Sequence, residues 1–158
     1  MSGQPAQLAD VYAGWEHYQQ LLIEALAPLT PEQLTLRAAP QLRSVGEIAT
    51  HMIGARARWF HEGMGEGGPE FEALRVWDRD GQPTRNAAEL EEGFETTWRL
   101  IHSCLTRWTT DDLALELPAR GKTRTRQWMI WHVIEHDLHH GGEISLTLGM
   151  NNLRAPDL

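Results

Sequence analysis

The sequence predicts an all-α fold, a four-helix bundle formed by one domain. Four long segments carry apolar residues at steps of three and four, as one face of a helix requires. Stretches rich in glycine and proline separate these segments, and no pair of alternating strands is predicted in the core. A chain of 158 residues is long enough for one compact domain and short for two, so we expect residues 1–158 to form a single domain.

The first helix is predicted from about Ala6 to Ala27. Trp15 and Leu22 belong to its apolar face, which repeats at helical spacing. Pro28 follows directly and cannot continue the helix, because proline lacks the backbone N–H. We therefore expect a turn after Ala27.

The second helix is predicted from a motif at its start. Ser44 and Glu47 form an S-x-x-E capping box, in which the two side chains satisfy the free backbone amides of the first turn. The helix should end near Gly63, where GMGEGGP begins to break the pattern. Residues 64–85 are too long for a tight turn and too irregular for a helix, so they are predicted as a long crossover connection.

The last two helices follow the crossover. The third is predicted from about Asn86 to Arg107, and the fourth from near Thr125 to about Leu148, where Gly149 follows as a typical C-terminal residue. The connection from Thr109 to Thr125 contains ALELPARGKTR, which is predicted as a short hairpin.

The composition argues against some classes of function. The chain has 22 acidic residues against 14 Lys plus Arg, for a formal charge of −8, which repels nucleic acid. It has no apolar run of the roughly 20 residues that span a bilayer, and its N-terminus does not resemble a signal peptide. We expect a cytoplasmic protein that binds neither nucleic acid nor membranes, with the single Cys104 as a buried structural thiol.

One basic stretch interrupts the acidic composition. Arg120, Lys122, Arg124 and Arg126 follow one another at every second position. Such a stretch is usually a solvated loop, and the alternative is local attraction of an anionic small molecule. The sequence leaves both interpretations open.

Histidines indicate the chemistry of the chain. His132, His136 and His140 follow one another at steps of four, which places neighbouring imidazoles about 5–6 Å apart on one helix face. Two imidazoles at this spacing can bind one metal ion, and a histidine-rich surface face is the alternative. The spacing does not decide which pair would bind.

His51 is the candidate for a third ligand. It lies among apolar neighbours in IATHMIGA, where a solvent-facing histidine is unexpected, although a core histidine bonded to a carbonyl fits as well. Glu47 lies one turn earlier and could support His51 or bind the ion, but its role in the capping box already explains it.

The stretches SVGEIATHMIGARARWF and WHVIEHDLHHGGEISLTLGM, together with the long crossover, resemble the DinB-like superfamily of metalloenzymes, which includes bacillithiol S-transferases. The resemblance covers nearly the whole chain. It implies an up-down-down-up bundle and a metal site formed by His51, His136 and His140, with His132 as a neighbour. The family name also implies a stress-response role.

The chain departs from the family pattern after the last histidine. Relatives often have a basic residue followed by Gly-Gln, whereas this chain has Gly141, Gly142 and Glu143. Two glycines inside a helix cost roughly 1 kcal/mol each relative to alanine. We interpret them as sites of close helix packing, with a dimer contact as one such site, and a homodimer is expected for this kind of bundle.

Three neutral histidines leave at least one position open on a metal ion, as in catalytic sites. The first hypothesis, which the resemblance motivates, is a transferase that adds a low-molecular-weight thiol to an electrophilic small molecule. The second is hydrolysis by metal-bound water, and the third is a non-enzymatic stress protein with a structural metal. Zinc or nickel is the expected ion.

The remaining candidates surround the histidines. Trp59 and Trp128 lie two turns from His51 and His136 and could wall an apolar pocket, although aromatic residues at this spacing are more often core. Glu47, Glu135 and Asp137 are candidate proton acceptors for hydrolysis. Because Glu135 and Asp137 flank His136, these two are predicted to lie on the solvated surface of the helix.

Overall fold

A computed structural model describes residues 7–157, which are mainly helical and contain one small antiparallel hairpin. The predicted all-α class is confirmed at this level. The helices are α1 (Leu8–Val11), α2 (Ala13–Leu26), α3 (Pro31–Leu34), α4 (Val45–Ala57), α5 (Glu70–Leu74), α6 (Ala87–Arg107) and α7 (Arg126–Met150), and the strands are β1 (Glu116–Ala119) and β2 (Lys122–Thr125).

The predicted first helix is interrupted. It consists of α1 and α2, which meet at Tyr12, and the predicted start at Ala6 lies outside the described residues. The predicted turn after it contains the short helix α3. The side chain of Thr30 accepts a hydrogen bond from the backbone N–H of Gln33 and so caps α3. Sequence periodicity does not detect a helix of one turn.

The predicted capping box starts α4. The Ser44 hydroxyl accepts from the backbone N–H of Glu47 at 3.2 Å, and the Glu47 carboxylate accepts from the backbone N–H of Ser44 at 2.7 Å. Arg37 donates to the same carboxylate at 2.9 Å. The predicted end near Gly63 is confirmed, because α4 continues into a π-helical turn at Arg58–Gly63.

The later elements agree with the predictions except in the crossover. Asn86 caps α6 and Thr125 caps α7, at the predicted starts of both helices. The predicted hairpin is confirmed, and β1 pairs antiparallel with β2. The crossover was predicted to contain no helix, which is wrong, since α5 packs Phe71 and Leu74 into the core.

Buried apolar side chains form two clusters. One cluster lies around Leu22, Met52 and Phe94, and the other around Phe60, Ile101 and Met129. Cys104 belongs to the second cluster, as predicted, and burial raises the pKa of its thiol to about 12. Within residues 7–157, no helix is long and apolar enough to cross a membrane.

Candidate metal centre

Three histidines from α4 and α7 converge. The ring centre of His51 lies 4.9 Å from that of His136 and 4.9 Å from that of His140, and the rings of His136 and His140 are 4.4 Å apart. One ligand nitrogen of each residue lies within 4.8 Å of the other two. The structure thus brings together the three residues that the family resemblance selects, and we call them the histidine cluster.

The antiparallel packing of α4 against α7 produces this convergence. His51 contacts His136 and His140, whereas Trp59, which is two turns later in the chain, contacts the earlier residue His132 at a ring distance of 4.7 Å. His132 is therefore displaced along the helix from His51. Its Nδ1 lies 2.8 Å from a carboxylate oxygen of Glu135.

Asp78 orients the imidazole of His51. The Nδ1 of His51 lies 2.6 Å from Oδ2 of Asp78, and Arg58 donates to both oxygens of this carboxylate, at 2.6 and 2.8 Å. Burial alone would raise the pKa of Asp78, but the hydrogen bonds from His51 and Arg58 hold it well below its ordinary value. Because the carboxylate is ionised, Nδ1–H must donate to it, and when His51 is neutral its Nε2 carries the lone pair.

Glu143 orients the imidazole of His140, as Asp78 orients that of His51. Its Oε2 lies 2.6 Å from Nδ1 of His140, one turn along α7. Burial lowers the pKa of His140, and the Glu143 carboxylate opposes this effect. When His140 is neutral, Nδ1–H donates to Glu143 and Nε2 is the free nitrogen.

His136 completes the cluster. Its Nε2 lies 3.1 Å from Nε2 of His51, and its buried Nδ1 has no hydrogen-bond partner among the described residues. Burial and the neighbouring histidines lower the pKa of His136 to about 3, so the imidazole is neutral at pH 7.

The cluster fits a divalent metal ion. Two nitrogens bound to one tetrahedral zinc at about 2.0–2.1 Å lie about 3.3 Å apart, close to the 3.1 Å between Nε2 of His51 and Nε2 of His136. Neutral imidazoles whose other nitrogens face carboxylates are also the usual ligands of such ions. His51, His136 and His140 could therefore hold a metal ion.

A cleft on the side of the crossover borders the cluster at His51, whereas His136 and His140 do not line it. Its volume is about 810 Å³, and its wall includes His51, Asp78 and Trp77. This volume falls in the range of small-molecule sites. Neither Trp59 nor Trp128 lines this cleft; Trp59 belongs to the second buried cluster and Trp128 packs against it, in agreement with the core interpretation that the sequence favours.

Trp59 and Trp128 instead flank His132. The rings of Trp128 and His132 are stacked with centres 4.9 Å apart, and Trp59 meets both of them edge-on. Arg120 and Arg124 of the hairpin cover the outer faces of the two indoles, at 4.8 and 4.4 Å from the ring centres.

The prediction that Asp137 is solvated is wrong. Its side chain and that of Arg56 are both 0% exposed, and Nη2 of Arg56 lies 2.7 Å from Oδ2 of Asp137. Trp15 donates to the same carboxylate at 2.8 Å. Asp137 is enclosed because α2 and α6 also pack near this face of α7, whereas Glu135 is exposed as predicted.

Sequence reasoning missed two carboxylates that contact the cluster. Asp78 lies in the irregular crossover, 27 positions from His51, and no spacing rule connects the two residues. Glu143 follows His140 at i+3, a spacing that predicts contact on a helix and was a usable signal. Glu143 also lies 3.7 Å from His139, and these two residues with His140 form a second, more exposed group of potential ligands.

Comparisons with known proteins bear on the family and the fold. The sequence profile of the DinB family matches residues 1–149. The crystal structure of a DinB-like protein from Bacillus cereus ATCC 10987 superposes with a TM-score of 0.74 at 20% sequence identity, covering 93% of this chain and 94% of that chain. At this identity the likeness concerns the fold. No functionally curated protein matches the sequence.

Proposed function

Because the chain belongs to the DinB family, we propose that it is a metal-dependent enzyme that adds a low-molecular-weight thiol to an electrophilic small molecule. The observation that carries the proposal is the convergence of His51, His136 and His140, with free Nε2 atoms on His51 and His140. Three nitrogen donors leave at least one coordination position for a substrate, unlike a closed structural site.

The protein's own residues prepare this site. Asp78 holds His51 in one tautomer and one ring orientation, and Arg58 holds Asp78 in place. Glu143 does the same for His140. A divalent ion bound there would lower the pKa of a coordinated thiol, so that the nucleophilic thiolate forms near neutral pH.

Thiol transfer agrees better with the surrounding residues than hydrolysis does. Hydrolysis is accelerated by a general base close to the attacking water, and none of the three predicted candidates is available for that role. Glu47 is bound in the capping box, Glu135 faces His132, and Asp137 is buried in an ion pair. A bound ion lowers the pKa of water as well as that of a thiol, so hydrolysis by metal-bound water stays the second candidate.

Zinc or nickel is the proposed ion. Imidazole suits zinc, nickel, copper, iron and cobalt as a ligand type, and no thiolate or ligating carboxylate in the cluster narrows the choice further. The small-molecule electrophile would enter through the cleft that ends at His51 and Asp78.

We also propose that the long helices form the up-down-down-up bundle. The order of contacts supports parallel packing of α4 and α6, since Ile53 lies at Gly93 and Arg56 at Thr97. The contacts of Trp15 with Asp137 and of Tyr18 with Gly141 support parallel packing of α2 and α7. Antiparallel α4 and α7 then complete this topology.

A homodimer remains part of the proposal, with the outer face of α7 as its contact. Leu138 and Leu146 are exposed there, four residues on either side of Gly142, which has open space around its Cα. An antiparallel crossing at Gly142 would pair Leu138 of one copy with Leu146 of the other, as two-fold symmetry requires. Sedimentation of Leu146→Glu tests this contact: a monomer is expected, and an unchanged dimer would exclude it.

Metal analysis combined with a thiol assay tests the proposed function. Protein purified without a chelator or a histidine tag should contain about one ion per chain, and His51→Ala and His136→Ala should lose it. His132→Ala is the matched control, because it removes a neighbouring histidine of the same helix stripe that lies outside the cluster, and it should keep the ion. The loaded protein should then consume an electrophile only when a thiol is present.

Three other results would contradict the proposal. Failure of the purified protein to bind zinc or nickel would mean that the histidine cluster is not a metal site. Turnover that does not depend on a thiol would favour the hydrolase. One bound ion without any turnover would favour a structural metal.

A further inference from the structure

Two arginines of the hairpin form a cationic surface beside the histidine cluster. The guanidinium of Arg120 lies 4.8 Å from the ring centre of Trp59, and that of Arg124 lies 4.4 Å from the ring centre of Trp128. We call these four residues the arginine–tryptophan wall. His132 lies between the two indoles and joins the wall to the cluster, with its ring centre 6.4 Å from that of His136.

The charges of the wall are not neutralised by the protein. Arg126 of the same stretch lies 3.6 Å from Asp112, but among the described residues Arg120 and Arg124 form no ion pair and donate no hydrogen bond. What distinguishes these two side chains from an ordinary solvated loop is their contact with Trp59 and Trp128, which holds the guanidinium groups in place while their N–H groups stay unpaired within the protein.

The indoles make the two guanidinium groups suitable for binding an anion. A guanidinium over an aromatic face is held by the cation–π attraction, while its N–H groups remain in their own plane and free to donate. Two such groups on neighbouring rings can give parallel hydrogen bonds to one carboxylate. The hairpin fixes the position of Arg120 further, because this residue adopts a left-handed φ of 49° in the turn before Gly121.

The wall continues the row of rings that begins at the cluster. Going along α7 toward its N-terminus, His136 is followed by His132 and then by Trp128, which Arg124 covers. On α4 and its π-helical extension, the same direction leads from His51 to Trp59. An elongated ligand could therefore reach the cluster with one end and the arginines with the other, and its carbon chain would pass the partly exposed His132 between them.

We propose that the arginine–tryptophan wall binds a carboxylate of the thiol substrate, whose sulfur enters the open position at the histidine cluster. This inference rests on the proposed function, since it names the chemical class of the thiol: an elongated organic anion. Arg120 and Arg124 are positioning residues, because they contact the end of the substrate that does not react.

Cobalt-loaded protein provides a direct test, since a thiolate bound to cobalt gives a charge-transfer absorption band. The probes are glutathione, which carries two carboxylates, and its diethyl ester, which has the same thiol and no carboxylate. Wild type should bind glutathione about tenfold tighter than the ester, as expected for hydrogen bonds between charged partners. The double variant Arg120→Gln/Arg124→Gln should lose this preference and keep its cobalt content.

Lys122→Gln is the matched control, because it removes an exposed cation of the same hairpin that covers no aromatic ring. It should behave as wild type. Equal affinities for the two probes in wild type, or a preference that survives in the double variant, would overturn the inference.

S-methylglutathione separates this inference from the proposed function, because it has both carboxylates but no free thiol. Arginine-dependent binding of this compound, measured by tryptophan fluorescence, together with no thiolate band for glutathione would support the wall and contradict thiol activation. A thiolate band of equal strength for both thiols, with no effect of the arginines, would leave thiol activation standing and exclude the wall.

Discussion

Two polar clusters connect α4 with α7, and they differ in how completely their polar atoms are satisfied. Arg56 and Asp137 form the first, and His51, His136 and His140 form the second. Asp137 directly follows His136 in the chain, so the two clusters occupy adjacent faces of the same helix turn. Their difference therefore arises from what packs around each face.

The Arg56–Asp137 cluster is closed. Arg56 donates to both oxygens of Asp137, Trp15 donates to one of them, and Gln19 accepts from Arg56 at 2.6 Å. The guanidinium also lies 5.0 Å from the ring centre of Phe94. Both oxygens of Asp137 accept from Arg56, and both side chains are fully buried, so we expect this cluster to fix the relative position of the helices.

The histidine cluster is open. Carboxylates lie at Nδ1 of His51 and His140, whereas Nε2 of His51 has Nε2 of His136 as its neighbour, and the buried Nδ1 of His136 has no partner among the described residues. Such an arrangement suits a cation, because it brings imidazole nitrogens together that no acidic group of the protein occupies. From this comparison we expect the closed cluster to fix the register of the helices, and we propose that the open cluster holds the metal ion.

The largest expected loss of stability comes from breaking the ion pair of the closed Arg56–Asp137 cluster. Asp137→Asn removes the charge that neutralises Arg56, and leaving a buried cation unpaired costs about 3–5 kcal/mol. Denaturant unfolding of the metal-free protein measures this loss. Glu92→Gln, the same kind of change at an exposed carboxylate of α6, should stay close to wild type. A stability of Asp137→Asn near that of wild type would contradict the assignment of the closed cluster.

The second largest expected effect is the stabilisation of the folded protein when a metal ion binds the open histidine cluster. An ion present at about 100 times its dissociation constant should stabilise the folded protein by about 2.7 kcal/mol, because it binds the assembled histidines. Chelation should abolish this gain in wild type and in His132→Ala. The stability of His136→Ala should not respond to the ion. If His136→Ala gained as much stability from the ion as wild type, the ion would bind elsewhere.

The third expected effect is a loss of metal affinity when Asp78, which orients the imidazole of His51, is substituted. Asp78→Asn keeps a polar side chain of the same shape but removes the charged acceptor for Nδ1–H. Loss of such a partner usually weakens metal binding about 10- to 100-fold. Competition with a metal-sensitive chelator dye measures the affinity. Asp80→Asn, a nearby change in the wall of the same cleft, should leave it unaltered.

The sequence predicted the helices well because their signals are local. The caps at Ser44, Asn86 and Thr125 each depend on residues within three positions, and all three mark the observed helix starts. The short helices α3 and α5 were missed because one or two turns contain too little periodicity to detect. The break at Tyr12 has no glycine or proline to signal it.

The site was only partly predictable for a related reason. His136 and His140 share a helix, so spacing identifies their contact, but the role of Asp78 depends on where a long crossover returns to α4. Asp137 was misassigned because spacing shows that it points away from His136 and does not show what packs there. Burial of a charged residue is a property of the tertiary structure, and sequence pattern alone does not reveal it.

The smallest expected change in stability comes from a substitution at Gly141, which lies one turn after Asp137 on the side of α7 that packs against α2. A Cβ at Gly141 would lie 1.8 Å from the hydroxyl oxygen of Tyr18, so Gly141→Ala forces that side chain to move. Overpacking costs about 1–3 kcal/mol, and we expect a value near the lower end because the nearest atom is the tip of the side chain.

Gly14→Ala is the matched control for this prediction. The same change there meets no atom within 4 Å, so the helix preference of alanine should give a gain of up to about 1 kcal/mol. Thermal unfolding of the two variants should therefore move in opposite directions. A gain for both would mean that α2 and α7 can separate without loss, and that the closed cluster alone fixes the register of the helices.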